Sequence, residues 1–258
     1  MPPQAAAGVL TGQVETPLFG GALTCTLPRG WLDCSDARPV PDHQEVWLER
    51  DGKCRSLIIE ILERADEEDG KCAVYHFFDI AEANDAMSQH VAYTNELPTS
   101  QMRPSIAKQA GPAYVLHGLQ VLPPEGASNR LGREQQPAGV TSAAGASQPD
   151  AAAAKGASKP ADNPASTPPA ASGAAAMEVE QAPPPNSVQL ELALAVIRLP
   201  RQGTDVLVSI NRSRPLLGAD ESIEKAQAQQ LVDAKADAEL LSSIVGSLEV
   251  RDWDLFGS

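Results

Sequence analysis

Two groups of carboxylates carry most of the chemical potential of this chain. One is Glu60 and Glu63, the only charges in Ser56–Glu63 (SLIIEILE), a run otherwise built on Leu and Ile. The other is a proline-punctuated loop that places Asp33, Asp36, Asp42 and Glu45 within thirteen residues, together with Arg38 and Gln44. A carboxylate in a strand that is apolar on both faces loses several kcal/mol of hydration unless it is paired or reaches water. Glu63 sits at the strand end and reaches water. Glu60 shares a side with Ile58 and Leu62 by strand alternation, so it needs a partner such as Arg198 or a function. The loop acids can cap turns through side-chain to backbone hydrogen bonds. The two clusters together suit a basic protein partner, because complementary charge steers encounter and fixes register.

Support for covalent chemistry is thinner. The sequence contains no GxSxG, Walker loop, HExxH or strand-following glycine fingerprint. His43, His76, His90 and His117 are spread over a loop, an expected strand end, an expected helix and an expected strand, with His117 read as a satisfied or edge strand residue. Cys25, Cys34, Cys54 and Cys72 form no CxxC pair and read as reduced structural thiols. Gly20-Gly21 lacks a following basic residue or helix start and reads as a turn. Asp66-Glu67-Glu68-Asp69 lacks the alternating spacing of a calcium loop and reads as a solvated turn. Neither a metal nor a cofactor is expected.

Several elements must position these residues. Ala22–Leu27, Glu45–Leu48, Ser56–Leu62, Tyr114–Val121, Val188–Leu199 and Asp205–Ile210 read as strands, the last two joined by a turn over Pro200–Thr204. Ser56–Leu62 reads as a central strand covered above and below. Tyr75–Phe78 leads into Ala81–Val91, where Ile80, Ala83, Met87 and Val91 recur at helical spacing. A long helix starting after Asp220-Glu221 carries Ile223, Ala226, Leu231, Ala234, Ala238, Leu241, Val245 and Leu248 on one face. Hairpin-linked strands with helices between blocks of strands predict an α+β fold, a mainly antiparallel sheet with helices packed on it.

The formal net charge of -14 argues against nucleic acid, which needs a Lys/Arg excess to release counterions. The longest apolar run, Leu192–Ile197, is far short of the roughly 20 residues of a membrane-spanning helix. No Lys or Arg precedes Arg29, so no secretory or transit peptide is readable, and a nuclear or cytosolic protein is expected. Between Pro123 and Ser187 lie 11 of the 22 prolines and 18 alanines with no aromatic residue, too little apolar surface to offset ordering entropy. The expected organisation is a flexible N-terminus over 1–16, one domain formed by 17–122 and 188–258, and a disordered Ala/Pro-rich insertion over 123–187.

Leu18–Leu23 (LFGGAL), Leu27–Trp47 (LPRGWLDCSDARPVPDHQEVW) and Ser56–Glu63 resemble the Ran guanine nucleotide release factors, nuclear-transport proteins that bind the small GTPase Ran. Val196–Leu199 (VIRL), Thr204–Asn211 (TDVLVSIN) and Asp252–Phe256 (DWDLF) resemble that family's second half. The insertion departs from the family in its length. The resemblance implies a layered α/β/α sandwich of PsbP-like type and a non-catalytic factor that promotes nucleotide release from Ran in support of nuclear import. It also implies a monomer of nucleus and cytoplasm, with neither nucleic acid nor membrane as partner. Its Ran-binding acids fall here on Glu60 and Glu63, with Asp33, Asp36, Arg38, Asp42, Gln44 and Glu45 as the neighbouring candidates. Two alternatives stand beside it: a PsbP-like structural binding module with no GTPase partner, and an enzyme with a pocket built on His43 and the loop carboxylates.

Overall fold

Val188–Leu199 (VQLELALAVIRL) offers apolar side chains to both of its faces, and only a strand covered above and below can bury both sets. The computed structural model describes residues 12–50, 55–124, 183–184, 186–216 and 223–257 and puts this strand deep in a large sheet. In chain order the elements are β1 (Gln13–Leu18), β2 (Leu23–Pro28), β3 (Trp31–Asp33), β4 (Gln44–Glu49), β5 (Arg55–Glu63), α1 (Cys72–Ala83) and β6 (Ser88–Leu97). There follow α2 (Pro104–Ala107), β7 (Ala113–Leu122), β8 (Val188–Leu199), β9 (Thr204–Pro215), α3 (Ile223–Ser247) and β10 (Glu249–Val250).

Seven strands form one sheet in the order β3-β4-β5-β9-β8-β7-β6, with every neighbouring pair antiparallel. A second sheet, β1-β2-β10, packs on one face of it. Strand alternation divides β8 between two cores. Ala193, Ala195, Ile197 and Leu199 join Leu241, Ile244, Val245 and Leu248 of the α3 segment and Leu23, Cys25 and Leu27 of β2. Leu192, Leu194 and Val196 turn the other way, onto Cys72, Ala73 and Phe77 of α1. Helices on both faces of an antiparallel sheet make the layered α+β architecture expected from the sequence. α1 lies so close to β7 that a Cβ on Gly118 would stand 2.5 Å from a Phe77 ring carbon, so only glycine fits there.

Several local expectations are corrected. The helix expected to run through Val91 begins at Cys72 and stops at Ala83, and Asp85, with φ of 52°, turns the chain into β6. His76 therefore lies on a helix and His90 on a strand. β6 is an edge strand with mostly exposed side chains, so it lacks the apolar alternation that marks a half-buried strand. Leu231 is 73% exposed, off the packed face of α3, and the inward helical position at 237 is taken by an aspartate. β1 begins at Gln13, inside the stretch expected to be flexible. The expected helix start at Asp220-Glu221, Cys54, residues 1–11 and residues 125–182 of the expected insertion lie outside the described residues. β7 and β8, which flank that insertion, pair directly, with Leu122 opposite Val188.

Candidate functional site

The register of β4 on β5 sets Gln44 opposite Glu60, and both side chains lie on the α1 side of the sheet. Gln44 Nε2 donates to Glu60 Oε1 at 2.6 Å, and His43 Nε2 stands 3.8 Å from the same oxygen. The His43 carbonyl accepts the Ile61 N–H at 2.9 Å, which fastens the loop to β5 beside Glu60. Glu60 is only 4% exposed. Burial pushes its carboxyl up to about 7; the Gln44 hydrogen bond pulls it down, and the negative charge of Asp79 on α1 adds to the rise. A carboxyl that ionises near neutrality is therefore held at the meeting point of the loop, β5 and α1. The expected pairing with Arg198 is not formed, because Arg198 is taken by Asp205 and Asp69.

The remaining acids disperse. Asp42 precedes His43 on the exposed loop, and Glu63 is exposed at the end of β5 beside an open groove of about 680 Å³ that Arg64, Leu255 and Phe256 also line. Asp33 Oδ1 accepts the Ser35 N–H at 2.8 Å, the turn-capping role weighed for the loop acids. Asp36 and Arg38 lie on the exposed bend, where the Cys34 carbonyl accepts the N–H groups of Ala37 and Arg38. Glu45, next to Gln44 in sequence, points to the opposite face and accepts the backbone N–H of Phe19. Glu60 and Gln44 thus gather with His43 and Asp79, whereas Glu45 and Glu63 belong to the other side of the sheet. His43 was weighed only as a catalytic candidate, and Asp79 carried no signal, since one acid on the outer face of a helix is ordinary.

Two buried polar networks brace this framework. Arg198 donates Nε to Asp205 Oδ1 at 3.0 Å, Nη1 to the Glu67 carbonyl at 2.6 Å and to Asp69 Oδ1 at 2.8 Å, and Nη2 to the Ala65 carbonyl. The acidic run is therefore more than a solvated turn, because the Asp69 carboxylate, the Glu67 carbonyl and the carbonyl of the preceding Ala65 are anchored to β8. His76 Nε2 meets Asp205 Oδ2 at 3.0 Å, which brings the side chains of α1 and β9 together. Cys72, one turn before His76, has no nucleophilic character: burial pushes its thiol up to about 12, as it does that of Cys25. On the α3 side, Asp237 accepts Arg212 Nη2 at 2.7 Å and Arg55 Nη1 at 3.0 Å, and Arg55 also grips Glu49. Among the described residues no cluster of three His, Cys, Asp or Glu side chains could hold a metal ion, and no helix is long and apolar enough to cross a membrane.

A family model described as Ran-interacting Mog1 protein matches residues 16–213, most of the chain and nearly all of β1 through β9. The chain belongs to the Ran-interacting Mog1 protein family. Among curated relatives, the Ran guanine nucleotide release factor of Bos taurus is 39% identical over 107 residues, 41% of this chain and 56% of the relative. That of Homo sapiens is 38% identical over 112 residues, 43% of this chain and 59% of the relative. The nuclear import protein mog1 of Schizosaccharomyces pombe is 45% identical over 80 residues, 31% of this chain and 42% of the relative. The match to the Bos taurus and Homo sapiens factors thus spans less than two thirds of their length. The solved Saccharomyces cerevisiae Ran-binding protein Mog1p superposes with a TM-score of 0.55 at 22% identity, covering 95% of this chain and 99% of that one. A point mutant of protein Mog1 gives 0.56 at 20% identity, covering 96% of this chain and all of that one. Both show that the chain has the Mog1 fold.

Proposed function

We propose that this chain binds the small GTPase Ran and promotes release of its guanine nucleotide in support of nuclear protein import, acting by binding alone. The observation that carries this reading is the Glu60 site: a Mog1-family chain holds a nearly buried carboxyl that ionises near neutrality where three elements meet, beside exposed Asp79, with exposed Asp42 next to His43 on the loop and exposed Glu63 at the end of β5. A basic side chain of Ran entering this face stabilises ionised Glu60, and the exposed acids steer its approach. Asp33, Asp36 and Arg38 extend the face along the loop. Gln44 orients the Glu60 carboxyl, and Glu45 contributes from the far side by holding β4 against Phe19. Release follows where the factor prefers nucleotide-free Ran, since a partner shifts an equilibrium only by its differential affinity. The chain acts as a monomer in nucleus and cytoplasm.

The test is release of a fluorescent guanine nucleotide from purified Ran, with Ran binding measured in parallel. Glu60→Lys with Glu63→Lys is expected to weaken binding by about tenfold or more and to slow release in step, because each change sets a cation where a cation must dock. Unchanged binding and release, in a variant that folds, would remove the site assignment. Loss of binding without any release activity in the parent chain would leave a Ran-binding module that is not a release factor.

A further inference from the structure

We propose that the pocket between the β1–β2 hairpin and the β3–β4 edge binds a ligand carrying an anionic group on a flat apolar body, an aromatic carboxylate being the type. The cavity, of about 430 Å³, has apolar walls in Val14, Pro17, Leu27 and Pro28, the rings of Trp31 and Trp47, and two cations, Arg29 and Arg50. The pairing of Trp31 with Glu49 brings both arginines to one end, where the Gly30 carbonyl accepts the Arg50 N–H at 2.9 Å. Arg29 is seated against Gly12, whose carbonyl accepts its N–H at 3.0 Å and whose missing Cβ would stand 3.0 Å from Arg29 Nε.

Three observations point to an absent acceptor. Trp47 Nε1 is buried and has no hydrogen-bond partner, and an indole nitrogen can only donate. A buried donor left unmade is costly, and Trp47 is one of the residues that line the cavity. Among the described residues no carboxylate reaches Arg29 or Arg50, although the chain carries a net charge of -14. The one carboxylate of the lining, Glu15, is engaged by Arg251 Nη2 at 3.5 Å. Donors alone at one end and ring faces with aliphatic walls elsewhere define an acid with a flat apolar body, and the volume falls in the range of small-molecule sites. Such a group reaches the pocket either as a free aromatic acid or as a C-terminal Phe carboxylate of a peptide. Arg29 and Arg50 lie apart from the Glu60 face, so the inference stands independently of Ran.

The test follows the indole N–H signals in a nitrogen-15 NMR titration of the full chain, with Trp47→Phe assigning the Trp47 signal. The probes are 1-naphthoate, its neutral counterpart 1-naphthalenemethanol, and a short peptide ending in Phe as the free acid and as the amide. Expected is a saturable shift of the Trp47 signal with an acid, with binding about tenfold or more tighter than that of its neutral counterpart, the size of one charge-assisted hydrogen bond. Arg29→Gln with Arg50→Gln, two exposed changes, abolishes that preference while leaving the other indole signals in place. Tighter binding of 1-naphthoate than of the peptide acid identifies a free acid as the ligand type, and the reverse order identifies a peptide terminus. No shift with either acid, or equal binding of the neutral counterparts, overturns the proposal.

Discussion

Glu60 was legible as an oddity because a charge in the middle of SLIIEILE has nowhere cheap to go. Its partner was not legible. Gln44 reaches it through the β4–β5 register, which depends on loop lengths and on the packing of both faces, and the obvious cation, Arg198, is spent on Asp205. The result has a sign that can be worked through. Burial lifts the folded-state value from 4.5 to about 7, so below about pH 4.5 the group is neutral in folded and unfolded chains alike and exacts no penalty. As pH rises through about 7 the folded chain must ionise a buried carboxyl that the unfolded chain ionises freely, and stability is lost across that window. Glu60→Gln keeps an acceptor for Gln44 without the charge. It is therefore expected to match the parent near pH 4.5 and to be more stable by on the order of 2–3 kcal/mol near pH 8. Urea unfolding at the two pH values checks this, and an equal difference at both would show that Glu60 does not carry its charge in a dry place.

At the scale of elements, strands with two apolar faces or a clean hairpin partner were readable: β8 matches its expected bounds, whereas β9 runs on from the expected end at Ile210 to Pro215. What failed had little apolar signal. β6 is an edge strand whose SQHVAYTNEL holds few buried positions, and α3 hides its anchoring residue among alanines. Asp237 occupies a core-facing site because Arg55 and Arg212, opposite each other on β5 and β9, need a shared acceptor under the helix. Neither arginine is near it in sequence, so helical periodicity gave the apolar stripe to Leu231 instead. This predicts a cost out of proportion to one side chain: Asp237→Ala leaves two guanidinium groups buried with one acceptor fewer, a loss of about 3–5 kcal/mol. Hydrogen exchange should show α3 losing protection before the central strands. A loss well under 1 kcal/mol would mean that water replaces the carboxylate and that α3 is held by Leu241, Ile244 and Val245 alone.

For the whole molecule, β7 and β8 flank the expected insertion as antiparallel neighbours, with Leu122 opposite Val188. Two strand ends in register need only a short turn, so the 65 residues between Leu122 and Val188 are far more chain than closure of this hairpin requires. Closure entropy grows logarithmically with loop length, so cutting such a connection to about ten residues recovers roughly 1.5 kcal/mol. Replacing residues 125–182 by a short Gly/Ser linker is therefore expected to leave the fold intact, to raise unfolding stability by up to that amount, and to keep Ran binding if the Glu60 face is the docking site. The segment carries six acidic and four basic residues, so its removal takes away only two of the fourteen net negative charges and leaves the steering field of the sheet domain nearly unchanged. Weaker Ran binding in a deletion variant of undiminished stability would assign part of the interface to the removed segment, whereas a less stable variant would show that the segment packs against the sheet domain and is not an interruption of it.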